Sequence, residues 1–153
     1  MSKILQHWHH YLDQHDQPAE SRLKHWLNCS LDNLTALKTE WDSAVNTALQ
    51  APADLENSVA SIILFDHICR NCKRGTQEAY SGHAHAAKIA HHLMQVNNDW
   101  STTELAIIGM SGSNTEAIDC HETGIEWMVK QNCNELNDFI TIAKRRLQVI
   151  QDF

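Results

Sequence analysis

Val59-Ala60-Ser61-Ile62-Ile63-Leu64-Phe65 is apolar almost all the way round a helix, whereas the segments on either side carry apolar residues on one face only. A helix without a polar face belongs between neighbouring helices. The stretch therefore predicts a buried central helix, beginning near Asp54 and continuing to about Lys73, with Gly75 placed to end it.

Outward from this segment the helical period continues in both directions. Upstream, Ile4, Leu5, Trp8, Tyr11 and Leu12 predict a first helix over Lys3 to His15, and Leu23, Trp26 and Leu27 a short second one over Ser21 to Cys29. A third follows from a cap at Ser30 or Asp32, with Leu34, Leu37, Trp41, Val45, Ala48 and Leu49 as its stripe, stopping before Pro52. Downstream, helices are predicted over His83 to Val96, over a short run opened by Thr102 or Thr103, over Thr115 to Gln131 and over Glu135 to Gln151. Gly109-Met110-Ser111-Gly112 reads as a loop between two of them.

The expected fold is all-α, with about seven or eight helices in a single domain over residues 1–153. Five Gly and two Pro are too little punctuation for a β-sandwich in a chain of 153 residues. No internal repeat, low-complexity tract or linker interrupts the pattern.

Charge and cysteine usage exclude several function classes. The net charge is −7 with the 11 His neutral, and Lys144-Arg145-Arg146 is a short cluster rather than a basic stripe, so no nucleic-acid partner is expected. No apolar run approaches the roughly 18 residues of a membrane span, and Met1 to His10 lacks a signal peptide's basic start and apolar run, which predicts a cytoplasmic protein with no membrane partner. Cys29, Cys69, Cys72, Cys120 and Cys133 are odd in number and irregular in spacing, the pattern of reduced thiols. Cys69 and Cys72 form a C-x-x-C pair inside a helix, without the second pair or βαβ context that a zinc or redox site needs.

The residues able to carry chemistry continue the central helix. At 100° per residue Asp66, Arg70 and Arg74 fall within about 80° of one another, on the face that holds Val59, Ile62 and Ile63. Charges on a core face require mutual satisfaction, and one carboxylate cannot use all five donors of each of two guanidinium groups. Spare donors of Arg70 or Arg74 would receive a small anionic ligand or a partner protein, with His67, Asn71 and Glu116 completing the candidate binding site. The structural alternative is an ion pair that ties the central helix to its neighbours.

Two other readings stand beside this one. A small-molecule enzyme would use the same cluster with His67 or Glu116 as acid or base. Metal binding by His is the third, with His7 and His10, or His85 and His92, sharing helix faces, although H-E-x-x-H and Glu-x-x-His are both missing and no metal or other cofactor is expected. Cys120 and His121 are adjacent, point about 100° apart and cannot act as nucleophile and base on each other. Self-association into a homo-oligomer is compatible with the sequence.

Asp66, Arg70, Asn71, Arg74, Gly75 and Thr76 resemble the hallmark of a bacterial family known as domain of unknown function 924, which reads Leu-Asp-Gln-Phe-Pro-Arg-Asn, two variable residues, Arg-Gly-Thr. The similarity is collinear: Ile4-Leu5-Gln6-His7-Trp8 is similar to the family's opening Leu-Asp-Phe-Trp, Ala79, Tyr80 and Ala84 sit where its next helix follows, and Glu104-Leu105 opens another. The resemblance implies a tetratricopeptide-like stack of antiparallel helical hairpins, with no established activity. His67-Ile68-Cys69 replaces Gln-Phe-Pro, only Glu116 of Asn114-Thr115-Glu116-Ala117 matches a His-Ser-Glu-Asp motif, and the family's closing Phe-Gly-Arg-Phe-Pro-His-Arg-Asn is met only by Phe153. By this resemblance the chain is a divergent, C-terminally shortened member in which fewer polar groups remain for catalysis.

Overall fold

The computed structural model describes residues 31–153, with side chains from residue 41 onward, and the first two predicted helices lie outside that range. Six helices pack together among the described residues, which contain no strand. They are α1 (Leu31–Gln50), α2 (residues 59–72), α3 (His83–Met94), α4 (Thr102–Gly112), α5 (Ile118–Lys130) and α6 (Asn137–Asp152). None is long and apolar enough to cross a membrane.

Helix α1 stops where expected, because Pro52 cannot donate a backbone N–H and instead opens a single 3-10 turn, Pro52–Asp54. Asp54 is used up in that turn, so α2 begins later than the sequence suggests, at a cap formed by Ser58, whose side chain accepts from Ser61 N at 3.2 Å. Helix α2 is not uniform. Its middle, Leu64–Ile68, winds as a π-helix between α-helical Val59–Ile63 and Cys69–Cys72. All residues from 61 to 69 are buried, and α1, α3 and α4 all pack against α2, so the absence of a polar face on VASIILF reflects neighbours on several sides. Gly75, at φ 82°, turns the chain out of the helix.

The chain then folds back in consecutive contacts: α3 on α4, α4 on α5, and α5 on α6. A capping box opens α4, with Ser101 Oγ accepting from Glu104 N and Glu104 Oε1 accepting from Ser101 N. Gly109-Met110-Ser111-Gly112 is the last turn of α4 rather than a loop. The glycines there provide room, since a Cβ on Gly109 would lie 2.2 Å from Met128 Cγ and one on Gly112 2.2 Å from Met94 Cε. Helix α5 starts at Ile118 instead of Thr115, because Thr115 Oγ1 accepts from Ala117 N in a turn that holds the backbone out of helix. Asn134–Leu136 forms a 3-10 turn before α6, in place of the expected helix start at Glu135.

Phe65, Ile62, Ile63, Ile68, Ile107, Ile108, Met128 and Leu136 are fully enclosed in one cluster that reaches from Val45 on α1 to Ala143 on α6. Burying each large side chain contributes about 1.5–3 kcal/mol relative to exposure. The tightest backbone approach is at the start of α3, where a Cβ on Gly82 would stand 2.1 Å from the carbonyl oxygen of Phe65 in the π segment. Backbone cannot move aside as a side-chain tip can. Gly82→Ala is therefore expected to destabilise the fold by about 3 kcal/mol, at the upper end of overpacking costs, measured as a lowered urea midpoint. An unchanged midpoint would show that α3 does not need to sit so close to α2.

Candidate functional site

The π segment carries Asp66, the one buried carboxylate among the described residues, at 3% exposure. Each of its oxygens has polar company. Ser111 Oγ, from the last turn of α4, donates to Oδ2 at 2.8 Å. Oδ1 faces Arg70 Nη1 at 3.6 Å, one turn along the same helix, and His83 Nε2 at 3.1 Å, from the first turn of α3. Arg70 Nη2 lies 3.1 Å from His67 Nδ1, and a guanidinium can only donate in that contact. Burial alone would raise the pKa of Asp66; the fields of His67, Arg70 and His83 and the contact with His83 outweigh it and hold the carboxyl well below the usual carboxylate range.

Asp66, His67 and Arg70 thus come together as one group, with Asn71 buried beyond it. Arg74 does not join them. Helix α2 ends at Cys72, so the projection of one helical face through residue 74 lapses, and Arg74 is exposed with Nη2 donating to Asn71 Oδ1 at 2.7 Å. Lys73, next to it, pairs with Asp42 of α1 at 3.1 Å. Burial pushes the Cys69 thiol up, away from the thiolate that reactive cysteines need.

Beside the Asp66 group opens a cleft of about 790 Å³, walled by Tyr80, His83 and Ala84 on one side, by Asn114, Thr115, Glu116 and His121 at one end, and by Arg145, Arg146, Val149 and Ile150 of α6 on the other. His83 joins the two regions. Its Nε2 points to Asp66 and its Nδ1 lies 3.3 Å from Asn114 Nδ2, on the cleft wall. His121 fixes the far end, with Nδ1 3.1 Å from the Thr115 carbonyl oxygen and Nε2 2.8 Å from that of Ala143, so one buried ring ties the 114–116 turn to α6.

Arg146 is the electrostatic signature of the cleft. Burial depresses its pKa and the charge of Arg70 adds to the effect, while Asp66 opposes it. Arg70 stands 3.6 Å from the buried carboxylate of Asp66, and Arg146 lines the cleft beside it. Arg145, exposed on the same wall, adds a further positive charge, and exposed Glu116 contributes a negative one.

Of the residues singled out in the sequence, Glu116 lines the cleft, Arg70 and Asp66 lie behind it, and Arg74 lies elsewhere. His67 is buried in α2 and does not line the cleft. Ser111, His83, Arg145 and Arg146 were the residues missed. Three of the four acquire their meaning from contacts between segments far apart in the chain; the available signal was the pair Arg145-Arg146 one helical turn before Val149-Ile150. Among the described residues no three His, Cys, Asp or Glu side chains converge to hold a metal ion, and His7 and His10 lie outside that range.

The sequence of the family described as bacterial protein of unknown function (DUF924) matches residues 2–153. No curated protein and no solved structure matches the chain.

Two measurements bear on Asp66. Asp66→Ala leaves Arg70 facing a void and should destabilise by about 3–5 kcal/mol in chemical denaturation; a loss under 1 kcal/mol would mean that Ser111, His83 and Arg70 do not depend on the carboxylate. The second is pH. Because the folded-state pKa is depressed, the stabilisation by Asp66 is fully present above the ordinary value of 3.8 and is lost as pH falls below it toward the folded-state value. Asp66→Asn should therefore flatten the fall of thermal midpoint below about pH 4, and parallel profiles for the two proteins would contradict the depressed pKa.

Proposed function

The chain belongs to that family, whose function is not established, and we propose from the geometry of this member that it is a helical binding module for a small organic anion. The observation that carries this reading is the lining of the cleft, where Arg145, Arg146 and His83 stand against Glu116, its one carboxylate among the described residues. A carboxylate or phosphate entering beside Arg146 would meet charge-assisted hydrogen bonds from a planar fork. The consecutive stacking of α3 to α6 supports a tetratricopeptide-like arrangement of helical hairpins, in which ligands sit on the surface between adjacent elements.

Succinate and phosphate, at millimolar concentration, should raise the melting temperature by roughly 5 °C as the cleft saturates, since a ligand that binds only the native state stabilises it. Sodium chloride at matched ionic strength and the neutral analogue succinamide should not. Arg146→Gln should abolish the shift and Arg146→Lys should restore only part of it, because Lys keeps the charge without the fork. Equal shifts from every salt, independent of Arg146, would leave Arg70 and Arg146 with a structural role alone.

A second reading is favoured by His83. A buried carboxylate against one ring nitrogen orients the imidazole and leaves Nδ1 on the cleft wall, where the Asn114 amide donates to it. A base so placed would accept a proton from a ligand or from water beside it. In this enzyme reading His83 takes the acid–base part, with Glu116 across the cleft as the second group and Asp66 as a positioning residue. The sequence had pointed to His67 or Glu116 for that part; the ring of His67 is buried against Arg70, and Glu116 lines the cleft.

A further inference from the structure

We infer that the anion received by the cleft is amphipathic, a single carboxylate or phosphate head carrying an apolar body at least one helical turn long; this rests on the anion-binding reading above. Size is the first argument. Inorganic phosphate or acetate would occupy a small part of about 790 Å³, a volume within the range of clefts that enclose whole organic ligands.

Polarity is the second. On α6, Val149 follows Arg145 and Ile150 follows Arg146 at a spacing of four residues, so each cationic side chain has an apolar one beside it about 6 Å further along the axis. The cleft wall is therefore divided lengthwise into a head region and a body region. The opposite wall adds Tyr80, whose ring meets the ring of His83 edge-on at a centroid distance of 5.2 Å. Tyr80 is 66% exposed and Val149 57% exposed, so both offer apolar surface to a ligand body. A head held at Arg146 and His83, with the Tyr80 ring beside it, lets the rest of the molecule lie along Val149 and Ile150, and covering that surface strengthens binding in proportion to its area. A polar polyanion such as a sugar bisphosphate would leave the body region unfilled.

The test is a homologous series of straight-chain carboxylates from acetate to octanoate, titrated calorimetrically at constant ionic strength, with phosphate and hexyl phosphate as a second head group. Affinity should change little over the shortest members and then tighten roughly three- to fourfold per added methylene. Val149→Ser, a change at an exposed position, should remove most of the gain for octanoate and leave acetate and phosphate unaffected. Arg146→Gln should weaken every member. If acetate and phosphate bind but octanoate and hexyl phosphate bind no tighter, the amphipathic ligand is overturned and the anion site stands. If octanoate binds and Arg146→Gln leaves it unchanged, the anion site itself fails. Absence of binding across the whole series overturns both.

Discussion

A carboxylate taken out of water is tolerable only where its lone pairs are answered, and the arrangement of this protein follows from how Asp66 is answered. Its two oxygens draw Ser111 from α4, His83 from α3 and Arg70 from its own helix. These contacts fix the mutual positions of three helices at one point in the interior. Replacing them with apolar contacts of the same shape could be equally stable, so what the charge adds is specificity of arrangement: the polar groups meet in one register of α2 against α3 and α4. The close seat of Gly82 on the Phe65 carbonyl lies in the same region and brings the first turn of α3 near enough for His83 to reach.

From this anchor the cleft inherits its charge. His83 stands with one nitrogen in the buried network and the other on the cleft wall, while Arg146 feels both Asp66 and Arg70 from across the interface with α6. Among the described residues Ser111 answers one oxygen of Asp66 by a hydrogen bond, while the other has Arg70 and His83 only as charged or polar neighbours, and Arg145, Arg146 and His83 line the cleft on that side. His121 braces the opening by holding the 114–116 turn and α6 through backbone carbonyls.

How much of this was legible in the sequence depended on whether the information was local. The all-helical architecture, the buried central helix, the stop before Pro52, the exit at Gly75 and the Asp66–Arg70 pair follow from period, punctuation and i,i+4 spacing. Glycine misled at 109 and 112, where it makes space for Met128 and Met94 rather than a bend, so the last turn of α4 and with it Ser111 were read as loop. Arg74 was projected along a helix that ends two residues earlier. The cleft was invisible because it is made where α3, the 114–116 turn and α6 face one another, and no spacing rule encodes contacts across more than twenty residues.

The link from Ser111 to Asp66 spans 45 positions of the chain, so a growing polypeptide presents the carboxylate well before its hydroxyl partner exists. As the ribosome extends the polypeptide, residues 59–72 emerge with an apolar surface interrupted by a carboxylate whose hydroxyl and imidazole partners are not yet made. Tight packing of that surface against α1 would strand the charge. Burial of that surface carries the full desolvation cost of the carboxylate unless α3 and α4 are present to supply its partners.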